Sequence, residues 1–240
     1  KPEKYFLKIL KDYNPDLIGF SSMLFQFEST YKFIKLAKLF NNNIITVLGG
    51  YAATVDGLTI AKNDSECKID YIIKGEGELA FAALIKSIVE KKDFDKVNGL
   101  IYRQNGSILQ NPQSCLANLD ELKLPDRNAR IIKNGFYIFN QKADAVETSR
   151  GCVYECNFCS INNMYGKSYR KYKFERVIAD IKDAVNNGAE SIFFVDDNIT
   201  LDGKRFKSLC ELIKSEKLNR INYLLQASVK GIKDTKGLPK

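Results

Sequence analysis

Apolar and polar positions along this chain alternate between two kinds of run. Short β-branched runs that stop at small or glycine residues predict strands: DLIGFSS (16–22), NIITVLGG (43–50) and IDYIIKGEGE (69–78). Between them lie stripes at helical spacing. Phe33, Leu36, Ala37 and Phe40 mark one helix, a short helix is expected over 56–63, and Phe81, Leu84, Ile85, Ile88 and Val89 mark the next. In GLIYRQNGSILQ (99–110), Asn105-Gly106 sits between two strand-like runs and predicts a hairpin. A second series starts after residue 140. DAVETSRGC (144–152), SIFFVDDN (191–198) and INYLLQAS (221–228) are its expected strands. One helix is expected over 174–187, with Val177, Ile178, Ile181, Ala184 and Val185 inward and Asn187-Gly188 as its stop. Another carries Phe206, Leu209, Cys210 and Ile213 on its apolar face.

Strands alternating with helices imply parallel sheets with right-handed crossovers, hence an α/β protein. The polar, proline-marked stretch LDELKLPDRNARI (119–131) separates the two series. The expected organisation is a doubly wound, Rossmann-like domain over 1–118, a linker over 119–140, and part of a β/α barrel over 141–240. Ligands of such sheets sit beyond the carboxyl ends of the strands. Ser21, Ser22, Gly49, Gly50, Thr54, Gly75, Glu76, Gly77 and Glu78 all fall there and outline a candidate crevice. Glycines at these ends permit turns and close approach that a side chain would block.

Composition narrows the function more than the fold. The 240 residues are 45% hydrophobic and 28% charged, as in ordinary globular proteins. No apolar run reaches the roughly 18 residues of a membrane span. The opening KPEKYFLKILKDYNPD lacks a signal-peptide pattern, so a cytoplasmic location with reduced thiols is expected. The net charge of +8 comes from lysines dispersed among acidic residues, without a basic run. A solvated surface explains that pattern, and no nucleic-acid partner is expected. Histidine is absent, which excludes most catalytic triads and most zinc sites.

Three of the six cysteines crowd into SRGCVYECNFCS: Cys152, Cys156 and Cys159. Cys67 and Cys115 are isolated, and Cys210 falls on a helical apolar stripe. Structural zinc needs four ligands, so zinc would require a distant fourth. Iron–sulfur clusters are held by thiolates, four of them in the common four-iron case. A C-x3-C-x2-C loop supplies three and leaves one iron open to a substrate or cofactor.

T-S-R-G-C-V-Y-E-C-N-F-C, between an expected strand and an expected helix, resembles the cluster loop of the radical S-adenosylmethionine (radical SAM) superfamily. The segment YRKYKFERVIADIKDAVNNGAESIFFVDDNIT is similar to the continuation in members that carry a cobalamin-binding domain. PDLIGFSS, VLGGYAAT and DYIIKGEGE resemble that domain, and LDELKLPDR resembles the connector after it. The resemblance implies a partial cobalamin-binding Rossmann-like domain followed by the first part of a radical SAM partial TIM barrel, the chain being truncated at both ends. It implies a [4Fe-4S] cluster on Cys152, Cys156 and Cys159, with S-adenosylmethionine on the open iron and an external electron donor such as flavodoxin or ferredoxin. Phe158 is expected near the adenine. Asp196 and Asp197 are expected at the methionyl amino group or as a helix cap, Gln226 and Ser228 at the ribose or methionine, and Arg150 as a brace. Ser21, Ser22, Gly49, Gly50, Thr54, Gly75, Glu76, Gly77 and Glu78 are the implied cobalamin contacts, with no histidine available beneath the cobalt. Ala52 stands where relatives often place histidine. The implied reaction is cobalamin-dependent methyl transfer, or another radical modification of an unreactive carbon, on a small-molecule or peptide substrate. Two alternatives stay open: a radical SAM enzyme that does not use cobalamin and performs a cyclisation or rearrangement, and a non-catalytic iron–sulfur or zinc protein.

Overall fold

The computed structural model describes residues 2–113, 116–132 and 136–232; Cys115 lies outside them. The chain divides into two compact units, Lys1–Ala117 and Asn118–Lys240.

The first unit begins with α1 (Pro2–Tyr13), β1 (Leu17–Ser21), α2 (Phe27–Phe40), β2 (Ile45–Gly49) and α3 (Gly50–Asn63). It continues with β3 (Tyr71–Ile73), α4 (Gly77–Glu90) and the hairpin of β4 (Leu100–Gln104) and β5 (Ser107–Gln110). The sheet order is β1-β2-β3-β4-β5, with the first three strands parallel and the hairpin antiparallel. Successive residues of a strand point to opposite faces, and both faces of this sheet are covered. Leu48, Ile72 and Ile101 pack with Ile34, Ala52, Ala53 and Ile60 on one face. Val47, Ile73 and Leu100 pack with Ala80 and Leu84 of α4 on the other.

Three details depart from the sequence pattern. The helix expected at 56 begins at Gly50 and is interrupted at Asp56. Ala52 and Ala53 are fully buried, so their small side chains let this first turn lie directly on the sheet. On α4 the inward residues are Ala80, Leu84 and Ser87, while Ile85 and Val89 are exposed. The strand expected over 69–78 ends at Ile73, and Gly77 already starts α4.

In the second unit, two 3-10 turns (Leu119–Glu121, Arg127–Ala129) precede β6 (Tyr137–Ile138) and β7 (Gln141–Val146). Then come β8 (Ser149–Arg150), α5 (Ile161–Tyr165), β9 (Arg170–Lys171), α6 (Phe174–Asn186) and β10 (Ser191–Phe194). The unit continues with α7 (Gly203–Ser215), β11 (Asn222–Leu224) and α8 (Val229–Ile232). The sheet order is β11-β10-β7-β6, and β7, β10 and β11 run parallel. Val177, Ile178, Ile181 and Ala184 form the buried face of α6. On α7 the buried residues are Leu209 and Ile213, whereas Cys210 is exposed rather than part of the stripe.

Residues read from sequence as a connector hold a buried ion cluster in this unit. The Arg127 side chain is 1% exposed and contacts Asp144 at 2.9 Å and Asp180 and Asp183 at 2.7 Å each. Arg130 adds a second, two-point contact to Asp144, at 2.8 Å to each oxygen. Among the described residues no helix is long and apolar enough to cross a membrane.

Candidate functional site

The cysteine loop leaves the carboxyl end of β7 and is closed at its base. Ser149 and Arg150 pair antiparallel with Lys171 and Arg170, so residues 151–169 form an excursion with both ends tied. Gly151 makes the first turn at φ +88° and packs against the Ser168 carbonyl. The Cys159 N–H donates to the Cys156 carbonyl at 2.9 Å, forming a turn within the loop. Cys152 is buried, and Cys156 and Cys159 are exposed. Among the described residues no group of three Cys, His, Asp or Glu side chains is gathered as a metal site. The donor set itself suits an iron–sulfur cluster: three soft thiol ligands on one short loop. Phe158 is 92% exposed, so core packing does not explain it.

The two aspartates expected at a bound methionine do different work. Asp196 is 1% exposed. One of its oxygens accepts from the Thr148 hydroxyl at 2.6 Å and the Ser149 hydroxyl at 2.5 Å, and the other accepts from the Thr148 N–H at 3.0 Å. It is therefore neither an open cofactor contact nor a helix cap; Asp202 caps α7, accepting from the Arg205 N–H. Burial raises the Asp196 carboxyl above its ordinary value, against the pull of these hydrogen bonds. Asp197 is only half-buried and accepts from the Gly151 N–H at 2.7 Å. Burial raises its carboxyl too.

The remaining expected contacts lie beside this pair. Gln226 is exposed at the exit of β11, and its carbonyl accepts from the Ile199 N–H at 3.2 Å. The Ser228 N–H donates to Asn198 Oδ1 at 3.2 Å, and its hydroxyl accepts from the Gly231 N–H at 3.2 Å. Arg150 braces the loop entrance by donating to Glu147 at 2.8 Å, and Tyr172 donates to the same carboxylate oxygen at 2.9 Å. Burial holds the Glu147 carboxyl above the usual range.

Gly151→Ala tests how tightly the loop base is built. A positive φ and a Cβ placed on the Ser168 carbonyl should together cost at least about 1–3 kcal/mol of stability, measured by urea unfolding. Gly166 also has positive φ but faces open space, so Gly166→Ala should cost less. Equal losses would show that crowding at Gly151 contributes nothing.

In the first unit the strand ends are cross-linked to one another. Ser22 is buried; its hydroxyl donates to the Met23 carbonyl at 3.0 Å and accepts from Thr30 at 3.0 Å. The Thr54 hydroxyl donates to the Gly50 carbonyl at 2.9 Å and accepts from the Gly75 N–H at 3.0 Å. Both hydroxyls are thus bonded within the chain. Gly50, at φ +82°, allows approach to Ser21 and Ser22; a Cβ there would meet Ser21 Oγ at 2.7 Å. Gly75, also at positive φ, is packed against Gln113. Glu76 accepts from the Ala117 N–H at 3.0 Å, and Glu78 is exposed in the first turn of α4, where a carboxylate suits the helix dipole. Ser21 is exposed, Gly49 is partly exposed, and Gly77 has open space beside it. The sequence places SSM (21–23) at the end of β1 but leaves out Leu24 and Phe25, which expose apolar side chains beside Met23, Phe25 at 82%. Their signal was an apolar run placed after a strand end instead of within an element.

Two family comparisons match this division. The B12 binding domain family matches residues 1–85, and the Radical SAM superfamily matches residues 146–234. The chain joins a B12 binding domain to a radical SAM domain. A methyltransferase of Pyrococcus horikoshii, itself uncharacterised, is 31% identical over 95% of this chain and 51% of its own length. The hopanoid C-3 methylase of Methylococcus capsulatus is 28% identical over 91% of this chain and 41% of its own. The chain thus spans about half the length of the curated relatives it matches. Among solved structures, OxsB with aqua-cobalamin and S-adenosylmethionine bound superposes with a TM-score of 0.72 at 21% identity, covering 98% of this chain and 33% of that one. TsrM from Kitasatospora setae, with cobalamin and a [4Fe-4S] cluster bound, gives 0.68 at 17%, covering 92% and 45%. At such identities the likeness is one of fold. The Radical SAM superfamily match takes in the whole cysteine loop and both aspartates, and the B12 binding match takes in the β1, β2 and β3 ends.

Proposed function

We propose that this chain forms the cobalamin- and cluster-bearing part of a radical SAM enzyme that transfers a methyl group to an unreactive carbon of a small-molecule or peptide substrate. The carrying observation is the three-thiol loop, tied at its base by Asp196 and Asp197, in a chain that also matches a B12 binding domain. When bound, the cluster supplies the electron that cleaves the sulfonium of S-adenosylmethionine, and cobalamin supplies the methyl carrier. Cys152, Cys156 and Cys159 would hold the cluster through three thiolates. Asp197 commits one oxygen to Gly151, and its other oxygen would accept the methionyl ammonium, a charge-assisted hydrogen bond. Phe158 would lie on the adenine, and Gln226 and Ser228 would line the ribose or methionine. In the first unit, Ser21, Gly49 and Gly77 would face the corrin, with Met23, Leu24 and Phe25 as apolar contacts. The working location is cytoplasmic, with flavodoxin or ferredoxin as electron donor.

The internally committed Ser22 and Thr54 hydroxyls favour one second reading, in which the Rossmann-like unit serves radical chemistry without cobalamin. One experiment addresses both. The anaerobically reconstituted chain, given dithionite and S-adenosylmethionine, should release 5′-deoxyadenosine, and added cobalamin should show a bound absorbance spectrum after gel filtration. Cleavage with no cobalamin retained supports the second reading. No cleavage under reducing conditions counts against both.

A further inference from the structure

We propose that Asp196 is a positioning residue that sets the entrance of the cysteine loop, not a contact to S-adenosylmethionine. The inference rests on the cluster-loop reading above and deepens it. Asp196 follows β10 by two residues, while of the groups it holds Thr148 follows β7 by two residues and Ser149 opens β8. Thr148 and Ser149 are almost fully buried, like Asp196 itself. Three donors on two carboxylate oxygens fix the Thr148 backbone and the side chains of both Thr148 and Ser149, from which the chain turns, through Arg150 and Gly151, to Cys152.

The same segment reaches in the other direction. The Val195 N–H donates to the Val146 carbonyl at 3.1 Å, extending the β7–β10 ladder. Asn198 Oδ1 accepts from the Thr200 hydroxyl at 3.1 Å and the Ser228 N–H at 3.2 Å, and the Ile199 N–H donates to the Gln226 carbonyl at 3.2 Å. Residues 195–199 therefore join the exits of three neighbouring strands. Asp197, at the Gly151 N–H, is the second tie to the loop. A carboxylate buried and bonded as Asp196 is has no oxygen turned to a ligand.

The arrangement distinguishes geometry from charge. Hydroxyls donate and accept, so an asparagine at 196 satisfies the same partners: its oxygen accepts from the Thr148 N–H, and its amide donates to the two hydroxyl oxygens. Alanine satisfies none of them. Residues that hold metal ligands in place typically change metal affinity by about 10–100-fold when removed.

The test uses the 240-residue chain with Asp196→Ala, Asp196→Asn and Ser149→Ala. Amide exchange at 148–152 is measured without iron, and iron and S-adenosylmethionine binding are measured after anaerobic reconstitution. Asp196→Ala should exchange about ten-fold faster or more at 148–152, and should hold iron about 10–100-fold more weakly. Asp196→Asn should stay close to wild type in exchange, iron and S-adenosylmethionine affinity. Wild-type behaviour of Asp196→Ala overturns the proposal. So does Asp196→Asn falling to the level of Asp196→Ala, or keeping iron while losing S-adenosylmethionine affinity, because charge would then be the requirement. If Asp196→Ala lacks the wild-type circular dichroism, Ser149→Ala decides: faster exchange at 148–152 supports the tie, and unchanged exchange overturns it. A wild-type chain that takes up no iron defeats the cluster reading alone, and the exchange arm still decides on Asp196.

Discussion

Cys156→Ala is expected to leave the reconstituted chain colourless, where wild type should be brown with about four irons. Three thiolates are the fewest that hold such a cluster while leaving one iron open. With two, the cluster loses an anchor at the exposed middle of its loop. Exposure does not mark the ligands, because Cys67 and Cys210 are exposed as well. Cys67→Ala and Cys210→Ala should therefore keep wild-type iron, measured by chemical iron and sulfide determination. Iron retained by Cys156→Ala, or one zinc and no iron in wild type, would end the cluster assignment.

Arg127→Ala should be among the most destabilising single substitutions in the second unit, costing about 3–5 kcal/mol in urea unfolding. The guanidinium is buried against Asp144, Asp180 and the partly exposed Asp183, and its loss strands Asp144 and Asp180, whose carboxylates have left water. The acid dependence has a definite sign. Burial by itself would raise the Asp144 carboxyl, but the Arg130 hydrogen bond, the Ala145 N–H and the Arg127 charge outweigh it and hold the group below its ordinary value of 3.8. The unfolded chain then binds the proton more readily than the folded one. The stabilisation is present above that value and is lost as pH falls through the lower, folded one. Wild type should lose stability steeply in that acid range. Arg127→Ala should lose less there, because Arg127 no longer adds to Arg130 and the Ala145 N–H in favouring the ionised Asp144. A flat wild-type profile below pH 4 would remove the ion cluster as a source of stability.

The connector shows where one-dimensional reading stops. LDELKLPDRNARI is polar and carries a proline, which is how a solvated linker reads. Its Arg127 is nevertheless buried, because the partners of that side chain lie 17, 53 and 56 positions further along the chain. Charge pairing at such separation leaves no periodic trace. Asp196 and Asp197 have the same origin: two adjacent carboxylates after a strand look equivalent, but the pleat and the loop opposite bury one and leave the other half open. Ser22 and Thr54 each donate to a neighbour along the chain, but the groups that donate to them, Thr30 and the Gly75 N–H, belong to other segments.

Local chemistry is what the sequence determined by itself. The α/β alternation, the Asn105-Gly106 hairpin, the amphipathic α6 and the three-cysteine spacing all depend on residues close along the chain, through side-chain period, turn conformation and ligand type. Tertiary structure alone decided which polar groups are spent. A hydrogen bond saturates its partners, and the partners of Asp196 and Arg127, like the Gly75 N–H at Thr54, reach them only when segments distant along the chain are laid side by side.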